Sequence, residues 1–176
     1  MIISQNRTSR HHSIFLPHLE CYPIAKSRLL ASQMTICDYY HTNSHRKGVL
    51  GHLSFGVRSY EASKHFYTAI FKPFGIELVF DDPARKILGY GLDAQHEAFN
   101  IFERADAQAP GGGTHFAFNA PSRASIDEFF EAGIRNGGKS NGEPGIRKNY
   151  GENYYAAFLV DPDGYRLEAV FQDPES

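Results

Sequence analysis

Two stretches of this 176-residue chain are written to one plan. Gly51-His52-Leu53-Ser54-Phe55-Gly56-Val57 and Thr114-His115-Phe116-Ala117-Phe118-Asn119-Ala120 each open on a small or polar residue and a histidine, then alternate apolar with small residues. Alternation at period two reads as a β-strand with one buried face. The two histidines stand 63 residues apart, and a helix-like stretch follows each strand, at about 59–72 and 122–136, with further strand-like runs after it. A repeat on the scale of half a domain is a strong constraint, because each copy must bury the same faces in the same order.

In the first copy Ser59 is placed to cap a helix whose apolar stripe is Ala62, Phe66, Tyr67, Ile70 and Phe71, and Pro73 and Gly75 stop it. Residues 76–80, 87–91 and 98–102 read as three short strands, so the unit is β-α-β-β-β. Ala107 to Gly113, with Pro110 and three successive glycines, links the copies. In the second copy Ser122, or Ser125 with Glu128, caps a helix with a stripe of Ile126, Phe129, Phe130 and Ile134, and Gly137-Gly138 ends it. Residues 139–152 are the least regular part, and 154–160 read as a strand. Asp161-Pro162-Asp163-Gly164 then reads as a tight turn into a last strand, 165–171. On that strand Tyr165, Leu167 and Ala169 share one face, and Arg166, Glu168 and Val170 the other. A carboxylate in an apolar run needs a partner, either Arg166 on a solvent-facing surface or groups from other strands.

Length suits one domain with an extension, and 41% apolar residues with a formal charge of −2 give no support for a nucleic-acid or membrane partner. Charge is uneven, however. Residues 1–47 hold six Lys/Arg against Glu20 and Asp38, a balance of +4, leaving twelve bases against eighteen acids, or −6, for the rest. The same segment carries five of the nine histidines and both cysteines, Cys21 and Cys37, with no sustained periodicity. It is expected to lie outside the fold as a tail; a mitochondrial transit peptide, or translation starting at Met34, remains an alternative for residues 1–33. The spacing of His11, His12 and Cys21 matches no zinc pattern. The folded part, 48–174, has no cysteine and suits a reducing compartment such as the cytoplasm.

The paired histidine strands, the helix after each, and the terminal Asp161-Pro162-Asp163-Gly164 turn with Glu168 resemble the vicinal oxygen chelate superfamily, which includes glyoxalase I, extradiol dioxygenases, thiol transferases and bleomycin-resistance proteins. The resemblance implies an α+β fold: two βαβββ units, about 48–106 and 113–174, forming a curled mixed sheet around a concave metal and substrate cleft. It places the metal ligands at His52, His115 and Glu168. Two imidazoles and a carboxylate leave coordination positions open and suit a divalent ion such as Fe(II), Zn, Ni or Mn. The ion would bind adjacent oxygens of a small-molecule substrate. Glyoxalase I has a further glutamate on the last strand of its first unit, and alignment puts Ile101 there, with Glu103 as the nearest carboxylate. The segment from Asn141 to Phe158, with Arg147, Tyr150, Tyr154 and Tyr155, resembles a metal-dependent branch for which no reaction is implied. Those four residues are candidates for substrate contacts; in the alternative the tyrosines fill the hydrophobic side of the sheet and Arg147 is solvated, with Tyr155 the favoured cavity residue.

Two functions of different class follow. One is a metal-dependent enzyme, glyoxalase-like lyase or dioxygenase-like; the other is a metal-free protein that sequesters a small ligand, as in bleomycin resistance. A homodimer is compatible with either. No phosphate-binding loop, dinucleotide fingerprint or nucleophile elbow is present.

Overall fold

The structure is a computed structural model that describes residues 50–172. The expectations placed on residues 1–47 lie outside the described residues. From Gly48 onward the chain forms one compact unit.

The first repeat consists of β1 (Leu53–Val57), α1 (Tyr60–Phe71), β2 (Glu77–Asp82), β3 (Ile87–Gly91) and β4 (Glu97–Glu103), with a 3-10 turn, Lys72–Phe74, closing α1. The second consists of β5 (Phe116–Asn119), α2 (Arg123–Arg135), β6 (Lys139–Ile146), β7 (Tyr154–Val160) and β8 (Arg166–Gln172). Each makes its own four-stranded sheet of the same design, ordered β1-β4-β3-β2 in the first and β5-β8-β7-β6 in the second. The first strand of each pairs in parallel with the last, and the other pairings are antiparallel. The fold is therefore α+β, two βαβββ units with one helix each, as expected.

Each helix begins where its cap was legible. Ser59 accepts the Ala62 N–H, and Ser122 and Ser125 form a reciprocal capping box, so Ser122 is the cap of α2. Phe66, Tyr67, Ile70 and Phe71 of α1 and Ile126 and Phe129 of α2 are fully buried. The expected stripes differ at one position each: Ala62 is exposed, since the buried face of α1 runs through Tyr60 and Ser63 there, and Ile134 is 43% exposed. The stretch expected to be irregular contains β6. Its sequence lacks strand formers, but the ladder with β7 imposes the conformation, with register shifts on either side of Gly142.

The two units meet through their helix-side faces. Phe55 of β1 and Phe99 of β4 touch Phe116 of β5, while Phe71 of α1 packs edge-on to Phe118 at 5.1 Å. Phe74 stacks on Phe129 at 5.4 Å. Polar ties surround this aromatic core. The Tyr67 hydroxyl donates to buried Asp161 at 2.6 Å, Tyr165 donates to the Gly56 carbonyl at 2.8 Å, and Arg58 pairs with Asp163 at 2.7 Å. The core faces of both sheets are thus turned inward on one another, and the opposite faces, which carry the two histidines, point outward. Among the described residues no helix is long and apolar enough to cross a membrane.

Candidate metal and substrate site

The β5–β8 ladder sets Ala117 opposite Glu168. His115, two residues before Ala117, then shares the outward face with Glu168, and its Nε2 lies 2.9 Å from Glu168 Oε2. Glu168 is only 3% exposed, whereas the His115 side chain is half-exposed. The second carboxylate oxygen accepts the Tyr154 hydroxyl at 2.6 Å. Burial raises the Tyr154 pKa, and the bond to Glu168 adds to it, so this phenol stays protonated and remains a donor. Glu168 therefore does not use Arg166 as its partner: a buried carboxylate takes the phenol and imidazole that face it, and Arg166 extends to the exposed end of the strand.

These groups open into a cavity of about 600 Å³, within the range of small-molecule sites. Tyr150, Asn141, Asn149, Phe158 and Arg166 line it as well. Tyr150 packs edge-on to Tyr154 at 5.2 Å. Arg147 lies behind the wall, its guanidinium 5.2 Å from the Phe158 ring centre and bonded to the carbonyls of Glu143 and Ala156. Its Nε is buried without a partner. Tyr155 does not line the cavity. The β7–β8 pairing sets Phe158 opposite Glu168, which turns Tyr154 outward and Tyr155 toward α2, where its hydroxyl donates to Asp127 at 2.7 Å. Asn141, Asn149 and Phe158 were not singled out from sequence. Phe158 shares the parity of Tyr154 and was findable in that way; the asparagines stand in irregular sequence that carries no such signal.

His52 stands immediately before β1 as His115 stands immediately before β5, but it is not among the residues lining the cavity. Among the described residues no three His, Cys, Asp or Glu side chains come together as a metal-holding group. The cause is the union of the units through their helix-side faces. The register also corrects the fourth position. Ser54 pairs with Asn100 as Ala117 pairs with Glu168, so Asn100, not Ile101, is the counterpart of Glu168. Ile101 is buried in the core. Glu103 is committed elsewhere, accepting the Tyr60 N–H at the start of α1 at 2.8 Å. A bulge between Tyr90 and Gly91 shifts the β3–β4 register by one and re-aims Glu97. Its carboxylate lies over Gly89, where a Cβ would meet Glu97 Oε2 at 2.4 Å, on the face of Asn100.

One chain presents an imidazole nitrogen and a carboxylate oxygen 2.9 Å apart, with the other oxygen of that carboxylate held by a phenol, which fits an ion as an incomplete set.

The family model described as Glyoxalase/Bleomycin resistance protein/Dioxygenase superfamily matches residues 49–169. The chain is 28% identical over 174 residues to a protein described as "Probable lactoylglutathione lyase, chloroplastic" from Arabidopsis thaliana, a match covering 93% of this chain and 47% of that one. It thus spans about half the length of that curated relative. Among solved structures it is similar to a glyoxalase/bleomycin resistance protein from Albidiferax ferrireducens T118, with 30% identity, a TM-score of 0.62, and coverage of 72% of this chain and 100% of the other. It is also similar to the V278E glyoxalase I mutant from Zea mays, with 28% identity, a TM-score of 0.51, and coverage of 70% and 45%. On the family match and the paired βαβββ units, the chain belongs to the glyoxalase/bleomycin resistance protein/dioxygenase superfamily.

Proposed function

We propose that this chain is a metal-dependent enzyme in which His115 and Glu168, together with His52 of a second copy, hold a divalent ion that takes two adjacent oxygens of a small-molecule substrate. The observation that carries it is the His115–Glu168 pair, 2.9 Å apart and open to the cavity. Outward-facing His52 has no route to that pair within one chain, so a homodimer supplies the third ligand. Two relatives of which this chain covers only 47% and 45% are each about twice as long as the part it matches.

Bound there, the ion supplies Lewis acidity toward the substrate oxygens. Tyr154 holds one oxygen of Glu168 and leaves the other turned to His115. Phe158 gives the substrate an apolar wall, and Asn141, Asn149 and Tyr150 give it hydrogen-bonding groups. The names of the relatives favour lyase chemistry. Asn100 at the fourth position, an amide that cannot carry a proton as a carboxylate does, favours a dioxygenase-like reaction instead.

The test is metal content of protein purified without a metal-chelating tag. Near-stoichiometric metal is expected in the wild type and its loss in His52→Ala, His115→Ala and Glu168→Ala. Mixed dimers of His52→Ala with Glu168→Ala retain one intact site and are expected to bind half the metal. Protein that takes up no ion, even after anaerobic Fe(II) supply, would instead support the metal-free binding protein.

A further inference from the structure

Resting on that chelating pair, we infer that Arg166 is an anion-binding group of the same cavity, and that the substrate carries a carboxylate at the end remote from its two chelating oxygens. Arg166 and Glu168 stand on the same face of β8 with one residue between them. Both line the cavity. They do not neutralise each other, because Glu168 is held by His115 and Tyr154. Among the described residues the Arg166 guanidinium makes no hydrogen bond or ion pair, and it reaches toward the linker at Gly112.

The charge balance of the cavity leads the same way. Among the described residues Glu168 is the one acidic group lining it, and Asn141, Asn149, Tyr150 and Thr114 are neutral. Behind the wall the Arg147 guanidinium is pinned over Phe158 by two carbonyls, which are dipoles and leave its positive charge uncancelled. One carboxylate therefore shares the cavity wall with one guanidinium, and a second stands behind that wall, before any divalent ion is added. With the ion bound, the surplus of positive charge is met by an anionic ligand. A planar guanidinium at the exposed end of the strand binds a carboxylate through two parallel hydrogen bonds, fixing the end of the substrate remote from the chelated oxygens.

The test uses two probes with the same vicinal hydroxyls, catechol and 3,4-dihydroxybenzoate, which differ by one carboxylate across the ring. Each is titrated calorimetrically into full-length protein, metal-stripped and Mn(II)-loaded. The carboxylated probe is expected to bind about 10-fold tighter than catechol, the preference that one charge-assisted contact of about 1.4 kcal/mol confers. Arg166→Ala and Arg166→Gln should bring the ratio to about one, while Arg166→Lys keeps part of it. A wild-type ratio near one, a ratio that survives in both neutral variants, or no binding of either probe overturns the assignment. Preference for the carboxylate that depends on Arg166 but not on Mn(II), with catechol indifferent to the metal, upholds the anion site and sinks the chelate reading. Catechol binding that requires Mn(II) and shows no carboxylate preference does the reverse.

Discussion

Glu168 is the residue on which the site depends, and its environment is set by two neighbours. A buried carboxylate with one partner removed loses both orientation and stabilisation. Tyr154→Phe deletes only the hydroxyl, and we expect metal affinity to fall about 10- to 100-fold, the usual effect of removing a group that holds a ligand in place. Competition with a chromogenic chelator measures it, and an unaltered affinity would remove the tyrosine from the site. A second buried carboxylate, Asp161, is structural. It accepts Tyr67 Oη at 2.6 Å and the backbone N–H groups of Asp163 and Tyr165. Burial raises its pKa although these donors oppose the shift, so ionisation costs stability in the fold as pH rises through the ordinary carboxylate range toward the folded pKa. Tyr67→Phe should cost about 1–3 kcal/mol. Because the hydroxyl favours the charged form, that loss should be larger at pH 7 than at pH 4, as read by urea denaturation. An equal loss at both would mean Asp161 is neutral throughout.

Among the elements, α2 and β7 approach more closely than any side chain between them allows. A Cβ at Gly133 would meet a Leu159 methyl at 2.2 Å, and Leu159 is fully buried, so the methyl has nowhere to go. Alanine gains about 1 kcal/mol of helix propensity over glycine, while overpacking costs about 1–3 kcal/mol. We expect a net loss in Gly133→Ala of about 1 kcal/mol, seen as a lower melting temperature relative to wild type, and a gain when the same substitution is compared within a Leu159→Ala background. Two glutamates of β4 show how an element decides the fate of a carboxylate. Glu103 caps α1, while Glu97, beyond the bulge, is turned to the other face. Their positions in the sequence do not separate these outcomes, since a bulge depends on the partner strand as much as on its own residues.

For the whole molecule, the shared aromatic core makes the two repeats one cooperative body. Phe118 touches Phe71 and Phe99 of the other unit, at 5.1 and 5.4 Å. Phe118→Ala should cost about 3 kcal/mol and still give a single unfolding transition, with tyrosine fluorescence and far-ultraviolet circular dichroism coincident. Separate transitions would show that each unit holds its own core.

Local rules were enough to expect much of this protein. Period two in the strands put His115 and His52 on equivalent places and Glu168 on the face opposite Leu167; period 3.6 and serine caps marked both helices; Asp161 to Gly164 marked the turn that leads into β8. Each depends on residues within a few positions of one another. What required the tertiary structure was non-local. A one-residue difference in register chose Asn100 over Ile101, and the pairing of β7 with β8 chose Tyr154 over Tyr155, because side chains alternate and the partner strand selects the parity. The strand β6 exists through its ladder with β7, against its own composition. The separation of His52 from His115 and Glu168 was decided last of all, by which faces of two similar sheets meet: both units have an aromatic helix side to bury, and packing those sides together leaves the histidine faces pointing apart.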